Sequence, residues 1–234
     1  MRTLKTLLVA TALVVTTGLA KADTQDRHLT GFTSVAVSGS YDVVITQGSS
    51  ESVKVDAPSE VIDKIITEVK GDVLVIRTKE GTNWNWSIGI GKKKMIVYVS
   101  IKDVNAVSLA GSGDVIFKDG LKATSLKIKL TGSGDISGKV DVKNLESSIG
   151  GSGDITLSGR ADNSVVSVVG SGDFTGQNLV TINTQVKVAG SGDARVNAND
   201  KIDASLVGSG DIHYTGSAKN ISSSKAGSGS VSRM

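Results

Sequence analysis

A four-residue glycine motif recurs along the second half of the chain, and it constrains the fold more than any other feature. A degenerate copy, Gly-Ser-Gly-Ser, ends the series at residues 227–230. Neighbouring copies are separated by 18 to 21 residues. A period near 20 with such small variations is typical of a solenoid, whose repeats stack on their neighbours. The six intact Gly-Ser-Gly-Asp copies are residues 111–114, 132–135, 151–154, 170–173, 190–193 and 208–211.

The stretches between the glycine motifs alternate between apolar and polar residues, which predicts β-strands. Leu126, Ile128 and Leu130 alternate with lysines, and a β-branched or apolar residue follows most copies of the motif. Turns that stack in register every ~4.8 Å leave little room for side chains and therefore favour glycine. We predict an all-β fold, a parallel β-helix (β-solenoid) with coils of about 19–20 residues.

Residues 31–105 are predicted to form irregular first coils of the same structure. Ser38-Gly39-Ser40-Tyr41-Asp42 has the composition of a degenerate glycine turn. Short alternating stretches on either side of it indicate strands. These stretches are residues 32–37, 41–46 and 53–55.

One helix is predicted in this irregular part. Pro58 precedes apolar residues at helical spacing, which indicates a short helix over about 59–69 with Ser59 as its N-cap. We expect the helix to cover the first coils rather than to form a separate domain. The predicted organisation is a single β-helix domain over 23–234, in which the glycine repeats occupy 106–230.

Residues 1–22 have the layout of a secretory signal peptide. Arg2 and Lys5 precede an apolar run too short to span a bilayer, and Ala20-Lys21-Ala22 forms an A-x-A cleavage site. Cleavage after Ala22 leaves 23 basic and 23 acidic side chains, so the mature chain has no net charge. We therefore expect an exported protein, periplasmic, secreted or at the cell surface, with no transmembrane segment and no nucleic-acid partner.

The serial glycine turns and three segments of the irregular part together resemble a known family, the auto-transporter adhesin head called the GIN domain, found in secreted bacterial proteins. The resemblance covers about residues 31–230. It implies a right-handed β-helix similar to the pectin-lyase architecture, and it implies cell adhesion as the function, with no established catalytic residues. The matching segments are Phe32-x-x-Val35-x-Val37, residues 41–48 and residues 71–76.

The aspartates of the glycine motifs are the first candidate site. In stacked coils these like charges would lie ~5 Å apart, which costs on the order of 1 kcal/mol per neighbouring pair in water. Hydrogen bonds from turn amides are the favoured explanation of how this repulsion is offset. A row of Ca²⁺ ions is the alternative, and no other metal or cofactor is expected. The aspartates are Asp114, Asp135, Asp154, Asp173, Asp193 and Asp211.

Both tryptophans of the chain, Trp84 and Trp86, are the second candidate site. In an extended segment they project to the same face, and asparagines flank them. Such a pair could form a platform for a sugar ring, or it could cover the end of the solenoid or the helix. We treat them as candidate ligand-binding residues for a polysaccharide or surface glycan.

Three functions remain open after this reading. The favoured one is a non-enzymatic, adhesin-like solenoid that binds a glycan or a surface. The alternatives are a structural, self-associating envelope protein and a polysaccharide lyase or hydrolase. The one candidate group for an enzyme is Asp211, His213, Tyr214 and Arg195, which we expect on adjacent coils. The chain has no cysteine and no hydrolase, nucleotide-loop or zinc-protease motif. We therefore expect no enzyme.

Overall fold

The computed structural model describes residues 22–82 and 94–234, which form a β-solenoid of about seven turns. The strands of the irregular part are β1 (Ala22–Asp26), β2 (Ser34–Gly39), β3 (Asp42–Gln47), β4 (Ser52–Pro58), β5 (Ile65–Lys70), β6 (Val73–Thr78) and β7 (Ile96–Ile101), and helix α1 (Ser59–Ile62) lies between β4 and β5. The strands of the repeat part are β8 (Ala106–Gly111), β9 (Asp114–Gly132), β10 (Asp135–Gly151), β11 (Ile155–Gly170), β12 (Phe174–Gly190), β13 (Ala194–Asn197), β14 (Lys201–Gly208), β15 (Ile212–Thr215), β16 (Asn220–Ala226) and β17 (Val231–Arg233).

The repeat coils pair in parallel and in the register of the glycine motif. In β10, Ile149 pairs with Leu130 of β9 on one side and with Val168 of β11 on the other. The turn glycines pair in the same way, Gly151 with Gly132 and with its equivalent one coil further on. The prediction of an all-β parallel β-helix is therefore confirmed.

The long strands bend at corners, where the alternation of buried and exposed side chains breaks. In β10, Lys143 and Asn144 are consecutive and both exposed. Two successive outward side chains are incompatible with a straight strand, so the chain turns there. The corner separates one side of the solenoid, which ends at Val142, from the next, which begins at Leu145.

Stacked aliphatic side chains fill the inside of the solenoid. One column of buried residues consists of Leu130, Ile149, Val168, Val188 and Leu206, each from a successive coil. A neighbouring column contains Ser147, which is also buried and whose Oγ has no hydrogen-bond partner within the described residues. The core is therefore mainly aliphatic, with a few hydroxyl groups and the aromatic rings of Phe32, Tyr41, Phe117 and Phe174.

The glycine turns stack so closely that no side chain fits between them. A Cβ added to Gly153 would lie 2.1 Å from the carbonyl oxygen of Gly134, and one added to Gly151 would lie 2.3 Å from that of Gly132. Gly151 also has a φ of +131°, which side chains disfavour. Each Cβ would point into the turn on the N-terminal side, so that neighbouring turn sets the requirement for glycine.

The predicted degenerate turn at 38–42 stacks beneath the first intact one. Gly39 pairs with Gly111, and Tyr41 takes the place that Gly113 has one coil later. The Tyr41 side chain is 1% exposed, and its hydroxyl hydrogen-bonds to Thr78 Oγ1. Burial raises the pKa of Tyr41, so the phenol stays protonated. Tyr41 thus lies at the N-terminal end of the stacked turns, in the position that glycine has in the later ones.

The irregular part departs from serial stacking. Strand β2 lies between β6 and β8, and β3 lies between β7 and β9, although β6 and β7 follow both in sequence. Strands β1, β4 and β5 pair in antiparallel fashion, β1 with β4, β4 with β7 and β5 with β6. The N-terminal end of the solenoid is therefore closed by strands that run against the direction of the coils.

The helix prediction over 59–69 was too long. Helix α1 ends at Ile62, and Ile65–Lys70 is a strand that pairs along its whole length with β6. The apolar residues of this segment are mostly β-branched, and a turn at Gly71, with φ +65°, lets β5 fold back on β6. Pro58, not Ser59, is the N-cap residue, and no side chain caps the helix.

The two ends of the solenoid differ. Helix α1 packs against β1 and β4 at the N-terminal end. At the C-terminal end β16 pairs with β14 alone among the described residues, and all seven of its side chains are exposed. Lys225 continues the buried column that ends at Leu206, and its Nζ donates to the Gly229 carbonyl. This last coil is therefore a polar end.

The predicted signal peptide falls almost entirely outside the described residues. Strand β1 begins at Ala22, the residue after which cleavage is predicted, and pairs there with Pro58. Within residues 22–82 and 94–234, no helix is long and apolar enough to cross a membrane.

Candidate functional site

A groove of about 490 Å³ runs along the outside of the solenoid beside the corner at Asn144. It crosses the coils of β9, β10 and β11, and between its walls the lining includes Leu126 and Leu145, whose side chains are buried in the core. One wall consists of Asn105, Ser125, Asn144 and Asn163, and the opposite wall consists of Lys127, Glu146 and Val165. Three coils at ~4.8 Å each make the groove roughly 15 Å long, so it suits an elongated ligand.

The first wall contains part of a row of stacked amides, which we call the amide column: Asn144 and Asn163 in the wall, and Asn183 beyond the groove. Asn163 Nδ2 donates to Asn144 Oδ1 at 3.0 Å, and Asn183 Nδ2 donates to Asn163 Oδ1 at the same distance. Asn144 Nδ2 in turn lies 3.4 Å from Ser125 Oγ. The corner is therefore held by hydrogen bonds between successive coils.

The amide column was not predicted, although the sequence contains its signal. Asn144, Asn163 and Asn183 are separated by 19 and 20 residues, the period of the glycine motif. Residues that share the repeat period share a column, whatever their type. Aligning every position to the repeat, rather than the glycines and aspartates alone, would have found them.

The opposite wall combines an ion pair with an exposed aliphatic side chain. Lys127 Nζ lies 2.6 Å from Glu146 Oε1, so the two charges compensate each other. Val165 follows on the next coil and is 42% exposed. The groove therefore has one amide wall and one wall that has no net charge and carries an exposed aliphatic side chain.

The aspartate column, the six motif aspartates named above, is held by backbone hydrogen bonds from Asp135 onward. Asp173 N donates to Asp154 Oδ1, and Asp193 N donates to Asp173 Oδ1, both at 2.8 Å. The same bond joins Asp154 to Asp135 at 3.1 Å and Asp211 to Asp193 at 2.8 Å. Each of these carboxylates thus accepts the amide of the next aspartate, which offsets the repulsion between like charges.

The last aspartate of the column has the strongest set of hydrogen bonds. Asp211 Oδ1 accepts from both Ser230 Oγ and Ser230 N at 2.7 Å. These two hydrogen bonds hold the pKa of Asp211 below its usual value, and the bond from the hydroxyl has the larger effect. One coil earlier, Arg195 Nη2 lies 3.5 Å from Asp193 Oδ2. Protein groups therefore compensate this end of the column.

A shallow groove of about 230 Å³ follows the start of the aspartate column, where Asp114, Asp135 and Asp154 line it together with Ser137 and Thr156. Within residues 22–82 and 94–234, no three acidic or histidine side chains are arranged to hold a metal ion. Calcium binding by the column stays a prediction.

The mixed group considered for catalysis lies on neighbouring strands. Arg195 pairs in register with His213, and Tyr214 follows on the same strand. The Arg195 guanidinium faces the aspartate column, and His213 Nδ1 lies 2.9 Å from Ser232 Oγ. The arginine is therefore engaged in an ion pair, and the histidine bonds to a serine.

The tryptophan pair cannot be placed in this site. Trp84 and Trp86 lie outside the described residues. Their role in ligand binding stays a prediction.

Comparison with known proteins identifies the family. Residues 31–218 match the family described as "Putative auto-transporter adhesin, head GIN domain". A crystal structure described as a putative adhesin from Bacteroides fragilis superposes with a TM-score of 0.85 at 26% identity, covering 92% of this chain and 97% of that one. No curated protein matches.

Two structures from Parabacteroides distasonis share the fold at 24% identity, each covering 93% of this chain and 98% of its own. One is described as a putative adhesin, with a TM-score of 0.74. The other is described as a putative lipid binding protein, with a TM-score of 0.73. The family match spans most of the chain, and the chain therefore belongs to the auto-transporter adhesin head GIN domain family.

Proposed function

We propose that this protein is a non-enzymatic adhesin that binds an extended glycan along the side of its solenoid. The family and the Bacteroides fragilis structure are both named as adhesins, which supports an adhesin-like function in general. The groove beside the amide column carries the finer proposal of a glycan. It is open, elongated and parallel to the direction in which the coils repeat.

The chemistry of the groove suits a sugar polymer. A pyranose ring has polar hydroxyls at its rim and apolar C–H groups on its faces. The amide wall offers donors and acceptors to the hydroxyls, while the exposed side chain of Val165 offers apolar surface to the faces. Because the coils repeat every ~4.8 Å, successive coils present similar groups to successive sugar units.

Binding without catalysis fits the groups that line the groove. Glycoside hydrolysis ordinarily uses two carboxyl groups on opposite sides of the scissile bond. Glu146 is the one carboxylate among the residues that line this groove, and Lys127 pairs with it. These residues can bind and orient a ligand, but the groove lining, among the described residues, has no second carboxyl group to act with Glu146 as an acid and base pair.

Adhesion also agrees with the predicted export of the chain. Adhesins act outside the cytoplasm, so membership of this family indicates a secreted or surface protein. We propose that residues 1–22 direct this export and are cleaved, and that the mature protein is periplasmic, released or held at the cell surface.

Self-association is the second proposal, and one observation favours it. The outer edge of β16 has no partner strand among the described residues, and Ile221 is 49% exposed on it. The serines of β16 and the inward Lys225 oppose such pairing, because charged and polar edge residues discourage strand addition. Glycan binding therefore stands ahead of self-assembly.

A retention assay on immobilised polysaccharides tests the function. We expect the purified protein to be retained on at least one of them, and Val165→Arg to abolish retention by filling the groove. Val169→Arg is the matched control, since Val169 lies on the same strand, is 56% exposed and is outside the groove. No retention on any polysaccharide, or equal loss in both variants, would refute the groove as a glycan site.

Two further arms test the remaining candidates. Trp84→Ala and Trp86→Ala should reduce retention if the tryptophans form a second contact with the glycan. Loss of retention in the presence of a chelator would assign the binding to calcium at the aspartate column. A sedimentation series over protein concentration would reveal self-association.

A further inference from the structure

We propose that the groove selects sugars that carry acetamido groups over unsubstituted sugars and uronic acids. This inference rests on the proposed function and adds to it the class of glycan. Three observations carry it: the unused hydrogen-bonding capacity of the amide column, the apolar surface directly beside it, and the compensated charges on the opposite wall.

Among the residues that the structure describes, the hydrogen bonds of the amide column leave one donor and one acceptor of Asn163 unused. A side-chain amide has two N–H donors and an oxygen with two lone pairs. Asn163 donates one N–H to Asn144 and accepts one hydrogen bond from Asn183. Asn163 is exposed and lines the groove, so its second N–H and its second lone pair are available to a ligand.

An acetamido group is complementary to this inventory. Its carbonyl oxygen accepts the free N–H of the column, and its N–H donates to the free lone pair, so both polar groups of each amide are satisfied. A lone hydroxyl has its donor and its acceptor on one oxygen atom and aligns poorly with both groups of the amide, whereas two vicinal hydroxyls can reach both. The methyl group of the acetamide is therefore what distinguishes it from a vicinal diol. A ligand amide would thus extend the hydrogen bonding that already joins the asparagines.

The methyl group of the acetamide has a place to pack. Val165 is 42% exposed on the wall opposite Asn163, whereas Leu145, between the two walls, is buried in the core. Removing a methyl group and this apolar surface from water together is favourable. An unsubstituted hexose has no methyl group to fill that space and would leave the apolar surface wet.

The charges of the groove disfavour uronic acids. Binding a carboxylate requires a cation that is free to pair with it, and Lys127 Nζ is already 2.6 Å from Glu146 Oε1. A uronate would have to displace Glu146 or lie beside it, and like charges repel. A free amino sugar meets the same obstacle from Lys127. Neutral acetamido sugars avoid both costs.

Four tetrasaccharides distinguish these classes by calorimetric titration of the whole protein. The probes are tetramers of N-acetylglucosamine, glucose, glucosamine and galacturonic acid. We expect the acetylated tetramer to bind at least about tenfold more tightly than the other three, which corresponds to about 1.4 kcal/mol. Equal affinity for the glucose tetramer would overturn the acetamido selectivity while leaving glycan binding intact.

Variants of the amide column place the selectivity in the groove. Asn163→Ala should weaken binding of the acetylated tetramer about tenfold and change binding of the glucose tetramer less. Asn183→Ala interrupts the same column but does not line the groove, so it should leave both affinities unchanged. An equal loss in Asn183→Ala would show that the column acts through the fold, and it would overturn the assignment.

The remaining outcomes also decide between the two proposals. Tighter binding of the galacturonate tetramer would refute the charge argument and the acetamido selectivity with it. No binding of any tetramer, together with no retention on polysaccharides, would refute the proposed function itself. Circular dichroism of Asn163→Ala and Asn183→Ala confirms that both are folded before their affinities are compared.

Discussion

The irregular coils of residues 31–105 and the repeat coils of 106–230 share one tube but are built in different ways. In the repeat part, strands that are neighbours in space are one repeat apart in sequence. In the irregular part, β2 and β3 lie between strands that come later in the chain. The comparison shows that serial stacking is what requires glycine in the turn. A Cβ on Gly113 would meet the backbone of the turn beneath it, whereas the equivalent residue, Tyr41, has no glycine turn beneath it among the described residues.

The largest effect is expected at a stacked turn glycine. Gly153→Ala places a Cβ 2.1 Å from the Gly134 carbonyl oxygen, and backbone atoms on both sides cannot move apart without breaking the coil. We expect the free energy of unfolding to fall by about 4 kcal/mol, measured by urea denaturation.

A glycine three residues away is the control for that substitution. Gly150 lies in the same strand as Gly151, and the nearest atom to an added Cβ is the Leu130 carbonyl oxygen at 3.9 Å. Gly150→Ala should therefore be neutral or slightly stabilising. Equal losses for Gly150→Ala and Gly153→Ala would mean that glycine content, rather than the close approach of turns, determines stability.

Tyr41→Gly tests the opposite case, since it restores the turn motif where no identical turn lies beneath. The substitution removes a fully buried ring and its hydrogen bond to Thr78. We expect a loss of about 3 kcal/mol in the free energy of unfolding, and about 1 kcal/mol for Tyr41→Phe. Stabilisation by Tyr41→Gly would show that the motif is favourable in every coil, contrary to the comparison.

A buried serine of the repeat part offers a substitution with the opposite sign. Ser147 Oγ has no hydrogen-bond partner within the described residues, and the same column holds Ile128 and Val166 on the neighbouring coils. Ser147→Ala removes an unsatisfied hydroxyl, so we expect about 1 kcal/mol of added stability in the same denaturation assay. A clear loss of stability would instead reveal a partner for the hydroxyl, such as a buried water molecule.

The smallest effect is expected at the end of the aspartate column. Hydrogen bonds from Ser230 lower the pKa of Asp211, so the ionised carboxylate favours the folded state. This contribution is complete above the ordinary aspartate pKa of about 4 and is lost as the pH falls through the lowered value. Asp211→Asn should therefore reduce the thermal midpoint slightly at pH 7, and the difference from the natural protein should vanish in acid. A difference that persists at pH 2 would contradict this assignment.

The repeat part could be predicted because every coil repeats the same turn glycines and the same alternation of apolar and polar residues. The glycine period gave the register, and the alternation of residues such as Leu126 and Ile128 gave the buried face. The amide of Asn144 and the groove beside it were missed. A corner is defined by two successive outward residues, and a single outward asparagine resembles any other surface residue until the coils are aligned.

The irregular part could be predicted only in outline, for physical reasons that differ from case to case. The apolar residues of Ile65–Lys70 fit either a helix or a strand, and pairing with β6 decided between them. The insertion of β2 and β3 between later strands leaves no periodic trace, since it depends on long-range pairing. The degenerate turn at Gly39 was recognised because it keeps a glycine, which pairs with Gly111 and whose added Cβ would meet the Tyr41 ring.

The place of β2 and β3 has a consequence for the order in which the protein is completed. Strand β2 pairs with β8, and Ile45 of β3 pairs with Phe117 of β9. These two strands therefore gain their second neighbours only after the whole irregular part and the start of the first repeat have been made. From Phe117 onward, each further stretch of about 19 residues meets a finished edge that serves as a template. When the chain folds during its synthesis, the pairing of β2 and β3 with β8 and β9 must therefore form first. The later coils can then add one at a time, towards the polar C-terminal end.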